Sequence, residues 1–333
     1  MKRSLIILAA AAVLGSPAAR AQSRTQTVPL SKGWNAVWLE VDPDVAEPTA
    51  FFASTPIDMV AAYTLPASEA QFATRTEVNV HTLAGWTVWF APHRADAPLS
   101  RLARLSGNKG YLMHAGEPVT LEIPGTVRLS APRWMPDCYN LVGFTVEAPG
   151  GPTFRQFFQG SPAHAQSKIY RLVNGTWRQV LAPDSETLRP GEAFWIYCKG
   201  ASDYPGPLQV TTASKMAVYL SGTTPCRLMF LNRATHPLSF TLEQVTAGNS
   251  DVPMSARISV FSDRVVGQAG TAAVDFPAGA WSQAFPVYEA GAGVTLPLSL
   301  RPGGLAAGTY HSLLKVTTDI GSVTYVPVTA VNE

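Results

Sequence analysis

One stretch of this chain occurs twice, and that constrains the fold more than any other feature. Gly33-Trp34-Asn35-Ala36-Val37-Trp38-Leu39-Glu40-Val41 recurs 105 positions later as Cys138-Tyr139-Asn140-Leu141-Val142-Gly143-Phe144-Thr145-Val146. A Pro-Thr loop and an aromatic pair follow in each copy: Pro48-Thr49 with Phe51-Phe52, and Pro152-Thr153 with Phe157-Phe158. A Tyr strand comes next (Ala62-Tyr63-Thr64-Leu65; Ile169-Tyr170-Arg171-Leu172), then a Trp strand running into Ala-Pro (Trp86 to Pro92; Trp177 to Pro183). Each copy closes on a Gly-aromatic strand, Lys109 to His114 and Gly191 to Tyr197, with a last apolar strand behind it (Val119 to Ile123; Leu208 to Thr211). Self-similarity at a fixed offset marks a repeated structural unit.

From Asn to the closing aromatic, the first copy is 22 residues longer, mainly in Pro66 to Leu83 and Arg94 to Ser106. Leu99, Leu102 and Leu105 recur every three residues and predict one short helix in Arg94–Leu105. Elsewhere, period-two apolar alternation, β-branched and aromatic residues, and Gly and Pro between runs predict strands.

The residues Gly33-Trp34-Asn35-x-Val37, the internal Trp strand, the Gly-aromatic closing strand and the apolar tail resemble a β-module of secreted and surface proteins of Gram-negative bacteria. The resemblance covers about 27–212. The second copy departs from it with Cys138-Tyr139 in place of Gly-Trp. It implies an all-β extracellular part and supplies no functional residues.

From Lys215 onward the rhythm changes. Eight short strands are expected: Met216–Leu220, Arg227–Asn232, Leu238–Val245, Ala256–Phe261, Gln283–Val287, Val294–Leu300, Thr309–Thr317 and Ser322–Ala330. Their spacing is that of a β-sandwich. Ala307-Gly308-Thr309-Tyr310 entering a strand, with Ser322 to Val328 alternating behind it, resembles the closing hairpin of bacterial immunoglobulin-like domains. The expected fold is therefore all-β: two repeated small β-sandwich or barrel modules at 27–126 and 127–212, and an immunoglobulin-like β-sandwich at 215–333.

The first 21 residues read as a signal peptide. Lys2 and Arg3 precede a short apolar run, Leu5 to Gly15, and Ala19-Arg20-Ala21 is a cleavage pattern. Without Lys2, Arg3 and Arg20, 22 basic residues face 23 acidic ones. That near-neutral balance excludes the basic footprint of a nucleic-acid binder. No run reaches the ~18 apolar residues of a membrane span. The expected location is periplasm, cell surface or medium. In an oxidising compartment two of the three cysteines, Cys138, Cys198 and Cys226, are expected to pair. With the first and closing strands of the second copy as neighbours, Cys138–Cys198 closes a loop of 60 residues, stabilising by roughly 4 kcal/mol.

Catalytic chemistry is not legible. No Gly-x-Ser-x-Gly elbow, P-loop or dinucleotide fingerprint occurs. The six histidines lie at least 12 residues apart, outside metal-ligand spacing. Glu40, Asp42 and Asp44 are oxygen ligands at alternating positions, as for Ca²⁺, without the EF-hand spacing. A solvated strand end is the favoured reading, so no metal or cofactor is assigned. Among the eight Trp, Trp34, Trp86, Trp177 and Trp195 sit at repeat positions, as a shared core requires. Trp38 and Trp134 have no aromatic counterpart and are the candidate contact surface. Only 14% of residues are charged, which points the same way. The expected role is a non-catalytic, exported structural or binding protein with an envelope or extracellular protein partner. A carbohydrate-binding module is the alternative, with a secreted hydrolase behind it.

Overall fold

A computed structural model describes residues 22–64, 66–67, 85–222, 224–245, 252–261, 269–276, 279–301, 303 and 305–333. The signal segment lies outside the described residues, as does His81. The chain is all-β, with β-sandwich architecture.

The first repeat unit holds β1 (Ser23–Leu30), β2 (Gly33–Leu39), β3 (Asp42–Pro43), α1 (Pro48–Phe51), β4 (Ile57–Tyr63), β5 (Trp86–Phe90), β6 (Lys109–Ala115) and β7 (Val119–Thr126). The second holds β8 (Cys138–Gly143), α2 (Phe154–Phe158), β9 (Ile169–Val173), β10 (Thr176–Gln179) and β11 (Ala193–Cys198). Their sheets have the same order, β2-β6-β4-β5 and β8-β11-β9-β10. First and closing strands are neighbours in both, as the repeat requires. The Pro-Thr loops become short helices. Glu47 caps the first by accepting from Thr49 and Ala50 amides. Thr153 and Gln156 cap the second reciprocally, and Thr-x-x-Gln is the sequence form of that box. The helix expected in Arg94–Leu105 is a single 3₁₀ turn, Ala97–Leu99. Beyond it, Arg101 and Leu102 amides both donate to the Val88 carbonyl, and Leu105 to Ala46. Leu102 and Leu105 reach the core from extended chain, while Leu99 is 68% exposed.

The two repeat sheets pack face to face. Met59, Ala61, Val88, Phe90 and Leu112 from one meet Tyr139, Tyr170, Trp177 and Trp195 from the other in a single core. Trp195 is its centre, with edge-on rings of Tyr63 at 5.2 Å, Trp177 at 6.1 Å and Trp86 at 6.2 Å. Such pairs contribute about 0.5–1.5 kcal/mol each beyond burial. The far face of the first sheet is covered by β1 and β7, through Val28, Leu30, Leu121 and Ile123. The far face of the second is covered by α2 through Phe154, Phe157 and Phe158. Buried on both sides, β11 reads as a continuous apolar run, and β4 and β6 carry unbroken apolar stretches at 59–62 and 111–113. The covering strands β1 and β7 keep a strict alternation.

Trp38 and its repeat equivalent, Gly143, meet across this packing. A Cβ on Gly143 would fall on the Glu192 carbonyl oxygen and lie 2.5 Å from Trp38 Cβ. One on Gly110 would lie 2.7 Å from Leu141 Cγ. Backbone bonds reinforce the contact: Trp38 N–H to Gly191 O at 2.8 Å and Tyr139 N–H to Ala67 O at 2.9 Å.

The remaining strands are β12 (Leu208–Thr212), β13 (Val218–Ser221), β14 (Cys226–Asn232), β15 (Leu238–Val245), β16 (Met254–Phe261), β17 (Ala269–Phe276), β18 (Trp281–Tyr288), β19 (Gly293–Leu300), β20 (Gly308–Thr318) and β21 (Val323–Asn332). They form two five-stranded sheets, β12-β14-β19-β16-β17 and β13-β21-β20-β15-β18, around a core that includes Leu228, Leu242, Leu298, Val326 and Val328. All eight expected strands are present. The unexpected β17, Ala269-Gly270-Thr271-Ala272-Ala273-Val274-Asp275-Phe276, consists mostly of small residues with weak strand preference. β12 differs from expectation in a second way. The repeat assigns it to the second unit, but it pairs with β14 in the C-terminal sandwich. In the first unit the matching strand, β7, pairs with β1.

The sandwich is stitched to both units. Val323 N–H donates to Thr145 O at 3.0 Å and Glu147 N–H to Gly321 O at 2.9 Å. Lys315 Nζ meets Glu147 Oε1 at 2.8 Å. Arg24 pairs with buried Glu40 and lies 4.5 Å above the Tyr325 ring. Gln22 donates to the Val328 carbonyl at 3.1 Å. The closing strand β21 lies between β13 and β20, with β13 paired along Val328 to Val331.

This close packing has a measurable consequence. Gly143→Ala is expected to cost about 1–3 kcal/mol, the range for forcing a methyl into a filled interior. Gly116→Ala, with only the Pro56 carbonyl 3.5 Å from its new Cβ, is expected to stay within about 0.5 kcal/mol. Urea midpoints of the two variants against the parent chain measure the difference.

Candidate functional site

A groove of about 710 Å³ lies between the repeat units, lined by 27–32, 34–37, 147–151, 171–174 and 187–192. One wall is the end of β1, the Ser31-Lys32 turn and β2. The other is the end of β9, the loop after β8 and the loop leading into β11. Its shape depends on Arg171. The side chain is buried and donates from Nε to Glu192 Oε1 at 2.8 Å, from Nη1 to Glu186 Oε2 at 3.2 Å and from Nη2 to the Thr187 carbonyl at 2.8 Å. Three acceptor residues on one loop, with Glu192 accepting through both oxygens, hold that loop against the sheet. The Phe154 and Phe194 rings flank the same guanidinium at 5.6 and 5.3 Å. At the mouth, Asn174 (φ 50°) and Gly175 (φ 76°) make the tight turn joining β9 to β10.

The lining combines apolar surface with few free charges. Trp34 is half-buried, its ring edge-on to His114 at 5.1 Å. Leu172 and Val173 are partly exposed opposite. Both glutamates of the lining are engaged, Glu192 with Arg171 and Glu147 with Lys315. Burial raises the Glu192 carboxyl above the ordinary range, against the pull of Arg171 and Arg189. Lys32 and Arg189 stand exposed at the rim.

The residues singled out from sequence lie elsewhere. Trp38 and Trp134 are 5% and 7% exposed, and both belong to the core on the far side of the second sheet. Trp38 fills the space that Gly143 leaves open. Trp134 donates from Nε1 to the Tyr204 carbonyl at 2.8 Å and lies 4.1 Å from the His164 ring. Neither is available to an outside partner, which corrects the sequence expectation. Lacking an aromatic counterpart marks asymmetric packing between the copies, not exposure. Trp34, read as core, is the Trp that borders the groove. Its place on an edge strand is a tertiary property.

Cys138 and Cys198 are directly opposed in the β8–β11 register, a spacing of about 4.5–5.5 Å that suits a bridge. The thiols are nonetheless free, correcting the expected disulfide. Cys138 Sγ donates to Met135 O at 3.4 Å and Cys198 Sγ to Gly200 O at 3.3 Å, so they point to different carbonyls. Burial raises both thiols, Cys198 to about 11. Since the thiolate is the reactive form, iodoacetamide at pH 8 is expected to label Cys226 first in the reduced folded chain. Cys138 and Cys198 should react only on unfolding, as read by intact mass.

The acidic cluster is divided among partners. Glu40 meets Arg24, and Asp42 meets Arg128 and the Gly107 amide. No group of three or more His, Cys, Asp or Glu converges among the described residues. His114 lies 2.6 Å from Asp58, which Arg94 also engages. His164 is buried, with Nδ1 2.6 Å from Ser161 Oγ and Nε2 unpartnered. Desolvation pushes its pKa down to about 4, against about 6.5 in an unfolded chain. Between those values only the unfolded chain takes up the proton. Stability present above pH 6.5 is therefore lost as pH falls toward 4, by about 2–3 kcal/mol. Urea unfolding of His164→Phe at pH 7 and pH 4.5 should show a smaller loss than the parent.

No protein-family model and no curated protein matches the chain. Among solved structures it is similar to the ASH/PapD-like domain of human CEP192 (PapD-like domain 7), at 10% identity over 38% of this chain and 85% of that one, TM-score 0.22. It is also similar to Salmonella alpha-2-macroglobulin reacted with methylamine, at 9% identity over 93% of this chain but 17% of that one, TM-score 0.19. A third is the CupB6 tip adhesin from Pseudomonas aeruginosa, at 8% identity, 93% and 89% coverage, TM-score 0.18. Scores at this level transfer no role. Among the described residues no helix is long and apolar enough to cross a membrane.

Proposed function

We propose that this chain is a non-catalytic, exported binding protein of the bacterial envelope or surface, and that a protein partner occupies the groove between its repeat units. The groove carries the reading. Its two carboxylates are committed to ion pairs with Arg171 and Lys315. What remains is recognition chemistry: one Trp ring, aliphatic side chains, strand edges and two rim cations. Export rests on the sequence of the first 21 residues. A polysaccharide ligand is the second reading, favoured by the Trp34 ring, since a flat aromatic face suits a sugar ring.

A photo-crosslinking amino acid at Asn174 or Arg189 of the full chain, expressed in its own host, tests this. Both positions are expected to give a discrete protein adduct that the same probe at exposed Leu181, outside the groove, does not. Adducts with polysaccharide alone favour the second reading. Turnover of a polysaccharide or peptide by the purified chain overturns the non-catalytic one.

A further inference from the structure

We infer that the groove takes an extended polypeptide segment by strand addition, with the edge of β2 that is open among the described residues as template. The inference rests on the groove being the binding site. Ladder parity identifies which backbone groups are on offer. Asn108 N–H donates to Leu39 O at 2.6 Å, so the odd-numbered residues of β2 face β6 and Trp34, Ala36 and Trp38 turn outward. From the Ala36 carbonyl to Trp38 the edge is closed: the antiparallel bridge of Val37 to Glu192 takes the Ala36 carbonyl, the Trp38 amide donates to Gly191 O at 2.8 Å, and the Trp38 carbonyl accepts from Gln26 Nε2 at 2.8 Å. The outward groups before it, those of Trp34 and the Ala36 amide, lie in the groove lining.

Two more edges open on the same space. β1 is the outer strand of the β1-β7-β3 sheet. The Val127 amide donates to Gln22 O at 2.9 Å, which turns Thr27 and Pro29 outward. Pro29 then has its missing N–H on the open side, where a strand proline is tolerated. β9 pairs with β11 only at Ile169 and Tyr170. The chain before β11 leaves it there to bridge β2 at Val37 and Glu192. The Val180 amide donates to Ile169 O, so Leu172 faces away from β10 toward the groove.

Main-chain pairing along an open edge is how extended peptides add to a sheet, with alternate side chains setting preference. Here those side chains meet Trp34 and Leu172 inside, and Lys32 and Arg189 at the rim. The complementary segment alternates aliphatic and acidic residues. A groove of about 710 Å³ holds a few such residues.

The probe is acetyl-Val-Glu-Val-Glu-Val-amide, titrated into the ¹⁵N-labelled full chain. Shifts are expected at the Trp34, Ala36 and Leu172 amides. N-methylating alternate peptide amides should weaken binding at least tenfold, because it removes the pairing donors. Ala36→Pro, which removes an outward N–H and leaves the β6 ladder intact, should do the same. Should that variant fail to fold, the surface double variant Lys32→Glu with Arg189→Glu serves instead, and should exchange preference to acetyl-Val-Lys-Val-Lys-Val-amide. Equal binding of the N-methylated peptide, shifts confined to other surfaces, or no binding at millimolar peptide overturns strand addition. Chitotetraose binding at Trp34 without peptide binding overturns it too, yet leaves the groove as the binding site. Absence of any rim adduct in the host removes that wider reading as well.

Discussion

The structure depends on one contact, the face-to-face packing of the two repeat sheets about Trp195. Each sheet has four short strands, too little to bury its own apolar surface. A repeat unit with one exposed apolar face needs a neighbour, and here the neighbour is its own copy. Tyr63, Trp86 and Trp177 around Trp195 supply the shared layer. Gly143 and Gly110 let the backbones approach. Burial on both faces then demands outer covers. β1 with β7 covers one sheet and α2 with its three Phe covers the other. The C-terminal sandwich has its own core and is fastened by backbone bonds at Thr145, Glu147 and Gly321.

The same packing creates the groove. The segment before β11 leaves β9 and bonds to β2, tying one unit to the other. That exchange leaves part of β9 unpaired and closes only the far end of β2. An opening between three strand edges follows from the way the two copies are joined. Arg171 shapes it, since its three acceptor residues tie the 186–192 loop to the sheet.

Much of the fold was legible from residues alone, because strand patterning and repeats are local signals. The Asn-containing first strand, the Trp strand and the closing strand all appear in the expected order in both units. The failures have physical causes. Period-three leucines at Leu99, Leu102 and Leu105 mimic a helix, yet the Arg101, Leu102 and Leu105 amides bond to the Val88 and Ala46 carbonyls instead of to their own segment. β17 was invisible because Ala and Gly carry no strand signal. β12 was assigned by repeat position, whereas partner choice is a long-range matter. Trp38 and Trp134 break the repeat and are nonetheless buried. They break it because the two units cover their outer faces differently.

What the sequence by itself determined is the all-β class and the duplicated unit with its strand order. Each follows from composition or from patterns a few residues long. Only the tertiary structure decided which sheets share a core, which Trp meets solvent, which carboxylates are neutralised by arginine or lysine, and where strand edges stay open. Those depend on contacts between residues far apart in the chain, such as Arg24 with Tyr325 or Trp38 with Gly143. No local pattern encodes such pairings, because the energy that selects them exists only once both surfaces are formed.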